Sequence, residues 1–98
     1  GTQMLFAIHA LDGSDGPERR RLNQPAHTAH LATAADYGVR IVTAGPLVED
    51  DGTTMKGSLL IVEAEGRPAV EAFTGADPYR TGGIWGSITI TAFQKRQG

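Results

Sequence analysis

Residues 39–63 read VRIVTAGPLVEDDGTTMKGSLLIVE. Two apolar runs, 39–47 and 57–63, flank the polar cluster Glu49-Asp50-Asp51-Gly52. β-Branched residues on either side of turn-forming residues predict two strands joined as a hairpin. Leu59, Leu60, Ile61 and Val62 follow one another without a polar break, which predicts burial on both faces of the second strand. A hairpin at mid-chain, with one further strand read on each side of it, decides the fold class.

Before the hairpin, residues 4–11 read as a strand, with Phe6, Ile8 and Ala10 on one face and Leu5, Ala7 and His9 on the other. Asp12-Gly13-Ser14-Asp15-Gly16 is a dense turn signal. Residues 17–37 read as helical: Ser14 or Asp15 can cap the start, and Pro17 suits the first turn. Leu22, Ala26, Ala29, Thr33 and Tyr37 fall on one stripe, whose small members would let the helix lie close to a sheet. Pro25 removes a donor inside this helix and predicts a kink or a restart. Gly38 is the expected stop. After the hairpin, residues 66–75 form a short helix carrying Val70 and Phe73, and Asp77-Pro78 opens a second helical turn that ends at Gly82-Gly83. Residues 84–93 are the last strand, with Ile88, Ile90 and Ala92 facing one way and Ser87, Thr89, Thr91 and Phe93 the other.

The order is therefore β-α-β-β-α-β. Its simplest packing is an α+β fold of the ferredoxin-like kind, a four-stranded antiparallel sheet with both helices on one face. Residues 1–98 form one domain, with a folded core over 4–93 and tails at 1–3 and 94–98. Two helices cover one face only, so the other face needs a cover. A second copy of the chain, in a homodimer closed through the sheets, would supply it.

Composition narrows the function. The 98 residues carry 9 basic and 11 acidic side chains, a formal net charge of −2, which argues against a nucleic-acid partner. No apolar run approaches the roughly 20 residues of a membrane span, and no signal-peptide pattern precedes the first strand, so the expected compartment is the cytoplasm. Cysteine is absent, which excludes disulfides, thiol catalysis and Cys-based zinc sites.

The candidates for chemistry begin with the histidines, whose charge changes most readily near neutrality. His27 and His30 are three apart on one helix, and His9 is on the first strand. No HExxH-like pattern surrounds them, and no metal site is expected. His9 and His30 read more simply as ordinary hydrogen-bonded residues. Asp77 is the expected cap of the turn at Pro78. One of its oxygens can cap while the other meets an imidazole, and a His–Asp pair orients the ring and raises its basicity for acid–base work. Arg19, Arg20 and Arg21 form either a solvated helix face or the source of one bidentate grip on an anionic group. Tyr79 and Trp85 can line a pocket or pack in the core.

These residues resemble the YciI-like (YCII-related) family over nearly the whole chain. The carriers are the opening strand, Pro25-Ala26-His27, Thr43-Ala44-Gly45-Pro46-Leu47, Gly57, Asp77-Pro78-Tyr79 and a last strand ending near Phe93. The chain departs at Gln24, where the family helix often has arginine, and at Thr91-Ala92-Phe93, where an Arg-Pro-Phe ending is common. His30-Leu31 also looks like the family's His-Leu pair, so His27 and His30 compete for one role. The resemblance implies the ferredoxin-like fold, a dimeric α+β barrel and a cleft with a His–Asp pair. Some relatives resemble enzymes that move protons on muconate-type compounds, including loss of chloride.

The resulting expectation is a small enzyme without cofactor that transfers protons on a small organic acid, by isomerisation, dehydrochlorination or lactone-type chemistry. His27 and Asp77 would be catalytic, with His30 the alternative. Arg21 would anchor a carboxylate, and His9, Tyr79 and Trp85 would contribute to substrate binding. The rival is a binding module in which the pair is only structural, and a third possibility is a haem- or oxygen-using relative on the same barrel. An open cleft beside a hydrogen-bonded His27–Asp77 pair favours the enzyme, and a filled core favours the module.

Overall fold

The computed structural model describes residues 3–98; Gly1 and Thr2, part of the expected N-terminal tail, lie outside the described residues. The elements keep the order read from the sequence: β1 Met4–Asp12, α1 Gly16–Leu31, a 3-10 turn Ala34–Tyr37, β2 Arg40–Val48, β3 Met55–Ala64, α2 Arg67–Gly75, the single turn α3 Pro78–Thr81, and β4 Trp85–Phe93. The four strands form one sheet in the order β2-β3-β1-β4, and every neighbouring pair is antiparallel. This is the ferredoxin-like arrangement. Among the described residues no helix is long and apolar enough to cross a membrane.

The core lies between the sheet and the helices. Phe6, Ile8 and Ala10 of β1 and Leu60, Val62 and Ala64 of β3 are buried, as the alternation requires. Val70 and Phe73 project from α2 onto them and are fully buried, each contributing about 1.5–3 kcal/mol by removal from water. Leu59 and Ile61 point to the face without helices and stay half-buried. The uninterrupted apolar run in β3 is thus covered on one face within this chain, not on both.

The first helix departs most from expectation. It runs without a break through Pro25, whose missing N–H interrupts the helical ladder at one rung only. The part of the predicted apolar stripe that lies on α1 faces outward: Leu22 is 64% exposed, and Ala26 and Ala29 are exposed too, whereas Thr33 and Tyr37, beyond the end of the helix, are half-buried and Tyr37 packs against the core. The inward face carries Gly16, Arg20, Asn23 and His27. A helix that roofs a polar cleft buries polar groups, provided each finds a partner. At its start Asp15 holds a left-handed backbone (φ 57°) and makes no side-chain cap.

Two glycines let elements approach closely beneath this helix. A Cβ on Gly16 would lie 2.8–2.9 Å from the carboxyl group and Cβ of Asp12, and one on Gly57 would collide with the Ala10 carbonyl of β1. The hairpin loop is tied at Asp51, whose Oδ1 accepts the N–H groups of Thr53 and Thr54 and whose Oδ2 accepts the Thr54 hydroxyl. These bonds hold its carboxyl down to a pKa of about 2.

Candidate functional site

A cleft of about 420 Å³ opens between α1 and the β2–β3 edge of the sheet. Its lining includes Arg20, Arg21, Gln24 and His27 from α1, Ala44, Gly45 and Pro46 from β2, Ser58 and Leu60 from β3, and Tyr79 from α3. The apolar wall comes from Leu31, Pro46, Met55 and Leu60, and the polar groups converge from the helix side and from Ser58.

His27 and Asp77 are paired. Nδ1 of His27 lies 2.8 Å and 2.9 Å from the two carboxylate oxygens of Asp77. Asp77 also caps α3, its Oδ1 accepting the Tyr79 N–H at 2.9 Å. The two expected roles are thus filled together. Asp77 is 1% exposed, and because a carboxylate accepts, Nδ1 is the ring nitrogen that donates to it. Nε2 of His27 makes no hydrogen bond to any described residue, and the ring lines the cleft. Tyr79 stacks on the imidazole with centroids 3.9 Å apart and planes 6° from parallel. Burial pushes the Tyr79 phenol above its usual range, and the Asp77 and Asp12 charges add to that push against the opposing Arg20.

Two turns before His27 on the same helix face sits Arg20. Its guanidinium grips Asp12 as a fork, Nε to Oδ2 at 2.6 Å and Nη2 to Oδ1 at 2.9 Å, and Nη2 also donates to Ser58 Oγ at 2.7 Å. Both charged side chains are only 4% exposed. The Arg20 Cζ lies 4.9 Å from the Tyr79 centroid, so one aromatic ring meets both the guanidinium and the imidazole. The Nη1 group of Arg20 has no partner among the described residues, which leaves two N–H donors beside the cleft.

The remaining expected site residues are dispersed. Arg21 is on the cleft rim, exposed, with Nη2 2.7 Å from Glu18 Oε1. The hydrogen bonds between the two side chains, and after them their opposite charges, raise the Arg21 pKa and lower that of Glu18. His30 turns away from the cleft: its Nε2 donates to the Phe73 carbonyl at 2.8 Å, and its ring stacks on Phe73. His9 points to the sheet face without helices, opposite the cleft. Trp85 is buried behind Tyr79 rather than lining the cleft, and its indole donates to Ser58 Oγ at 3.2 Å. Among the described residues no cluster of three His, Asp or Glu is grouped to hold a metal.

Of the network Arg20, Asp12 and Ser58, the sequence offers Arg20 only as one of three candidate arginines and singles out neither Asp12 nor Ser58, although signals for two of the three are present. Seven helical residues from His27 place Arg20 about 20° from it around the axis, whereas Arg21 is about 120° away. Ser58 is the polar member of the inward set Ser58, Leu60, Val62 and Ala64. Nothing in the turn cluster marked Asp12 as more than a turn residue.

The chain matches the model of the YCII-related domain over residues 4–94. It is 36% identical over 97 residues to the YciI proteins of Escherichia coli and Shigella flexneri, covering 94% of this chain and 98% of each relative. Among solved structures it is similar to the 5-chloro-2-hydroxyhydroquinone dehydrochlorinase of Burkholderia phenoliruptrix, in complex with 2,5-dihydroxybenzoquinone. That likeness has a TM-score of 0.77 and 29% identity over 97% of this chain and 96% of that one.

Proposed function

Because the chain belongs to the YCII-related family, we propose that it is a small enzyme that eliminates or isomerises by proton transfer on a compact, oxygen-rich organic acid or phenol. The observation that carries this reading is His27: its Nδ1 is fixed by Asp77, and its Nε2 is unpartnered at an open cleft. An imidazole held in this way is a general base with its accepting nitrogen aimed at a ligand. Nε2 takes a proton from an acidic O–H or C–H of the substrate. Asp77 balances the positive charge the ring acquires. The electron pair left on the substrate places negative charge on an oxygen, and the N–H groups of Arg20 with the Ser58 hydroxyl are the donors available to it. That pair recaptures the proton at another carbon, which completes an isomerisation; where that carbon bears chloride, loss of a second O–H proton supplies the electron pair that expels the chloride.

Arg20 rather than Arg21 is the arginine for this role, because its fork is fixed by a buried carboxylate while Arg21 is exposed on the rim and paired with the exposed Glu18. Arg21 would then meet a peripheral carboxylate of larger substrates. The half-exposed Leu5, Ala7, Leu59 and Ile61, with exposed Phe93, form the sheet face that a second copy would cover in a homodimer. The open cleft supports an enzyme over a purely structural pair.

The similar dehydrochlorinase supplies a first probe substrate. Chloride release from 5-chloro-2-hydroxyhydroquinone should fall by about 10²–10⁴-fold in His27→Ala, the usual contribution of a positioned acid–base group. A wild-type rate in that variant sinks the role assigned to His27.

A further inference from the structure

We infer that Trp85 is a positioning residue that aims the hydroxyl proton of Ser58 into the cleft. The inference rests on the anion-stabilising reading of Ser58 and extends it to a side chain that does not line the cleft. A serine hydroxyl has one proton to donate and two lone pairs to accept with. Here both lone pairs are engaged. Arg20 Nη2 donates to Oγ at 2.7 Å and the Trp85 indole N–H donates to it at 3.2 Å.

Neither partner can accept, because guanidinium and indole N–H groups are donors only. The Ser58 proton therefore cannot turn back toward either one. No acceptor for it exists among the described residues, and Ser58 lines the cleft. Its remaining direction is the one in which a substrate oxygen would sit. Two incoming bonds also polarise the O–H and make it a better donor. Trp85 is itself fixed edge-on to Tyr79, at 5.9 Å and 75°, and to His27, at 6.1 Å and 80°. The same ring thus braces the base and orients the donor, so both halves of the site are kept in register.

The test uses the fact that the chain has one tryptophan. Supplying benzothienylalanine in place of tryptophan replaces the indole N–H by sulfur at residue 85 alone and keeps the ring's shape. The affinity for 2,5-dihydroxybenzoquinone should fall about two- to tenfold, the worth of one neutral hydrogen bond. In a Ser58→Ala background the same replacement should change affinity by less than about twofold, because Trp85 acts through the hydroxyl. Equal losses in both backgrounds, or no loss in the wild-type background, overturn the inference. In the free protein, Ser58→Ala should move the single indole N–H resonance upfield with an unchanged circular dichroism spectrum; an unmoved resonance also overturns it. A resonance that moves in a protein whose wild type binds no quinone supports the aiming and instead overturns the anion-binding reading.

Discussion

Removing the Asp12 carboxylate is the sharpest test of how the site is held. In Asp12→Ala the Arg20 guanidinium, 4% exposed, keeps Ser58 as its hydrogen-bond acceptor and loses its counter-charge. Breaking a buried ion pair from one side costs about 3–5 kcal/mol. Arg20 borders the cleft, so water can reach it and the lower end, about 3 kcal/mol, is the expected loss. For a domain of this size that lowers the melting temperature by about 12–25 °C. The exposed Arg21–Glu18 pair is the internal comparison, since water and salt screen it and Glu18→Ala should melt close to wild type. Replacing both partners, Asp12→Ala with Arg20→Met, removes the stranded charge and should recover most of the lost stability. It should not restore affinity for 2,5-dihydroxybenzoquinone, because the Arg20 donors are gone and the Ser58 hydroxyl alone remains. Thermal unfolding by circular dichroism reads the first quantity and ligand titration the second. A single variant that melts within a few degrees of wild type would refute the buried-pair argument, and so would a double variant no more stable than the single one. A double variant that binds the quinone as wild type does would refute the role of Arg20.

The packing sets two further outcomes. Gly16→Ala should destabilise by about 1–3 kcal/mol and weaken quinone binding with it, since the new methyl group would press on the Asp12 carboxylate that holds Arg20; denaturant unfolding and titration of the variant check both. The raised pKa of Tyr79 makes stability fall as pH climbs past about 10, where the unfolded chain ionises first, with the loss complete once the buried phenol ionises too. Tyr79→Phe should move the alkaline unfolding midpoint upward, and an unmoved midpoint contradicts the burial argument.

The fold was legible because its punctuation is local. The turn cluster 12–16, the polar loop at Glu49–Gly52 and the Asp77-Pro78 cap fix where elements begin and end, and strict alternation in β1 and β4 assigns their faces. Asp77 was legible for the same reason: a carboxylate before proline has a cap to make, and the cap places it. The inward face of α1 was not legible from apolar spacing, since that method assumes an apolar interior. Leu22, Ala26 and Ala29 point outward, while Arg20 and His27 point in, because carboxylates from β1 and from the start of α3 wait beneath them. Such pairings join residues 8 and 50 positions apart, and no local rule encodes them. Trp85 and His30 illustrate the reverse case, in which a side chain capable of chemistry is committed to packing and to a single hydrogen bond.

The central claim is that His27 moves the proton and Asp77 holds it in place to do so. Chemical rescue tests this most directly: chloride release from 5-chloro-2-hydroxyhydroquinone by His27→Ala, measured with and without added imidazole. The expected result is a loss of about 10²–10⁴-fold that imidazole partly restores in His27→Ala and does not restore in Asp77→Asn, where the ring is present but no longer held. A His27→Ala variant that releases chloride at the wild-type rate would contradict the account.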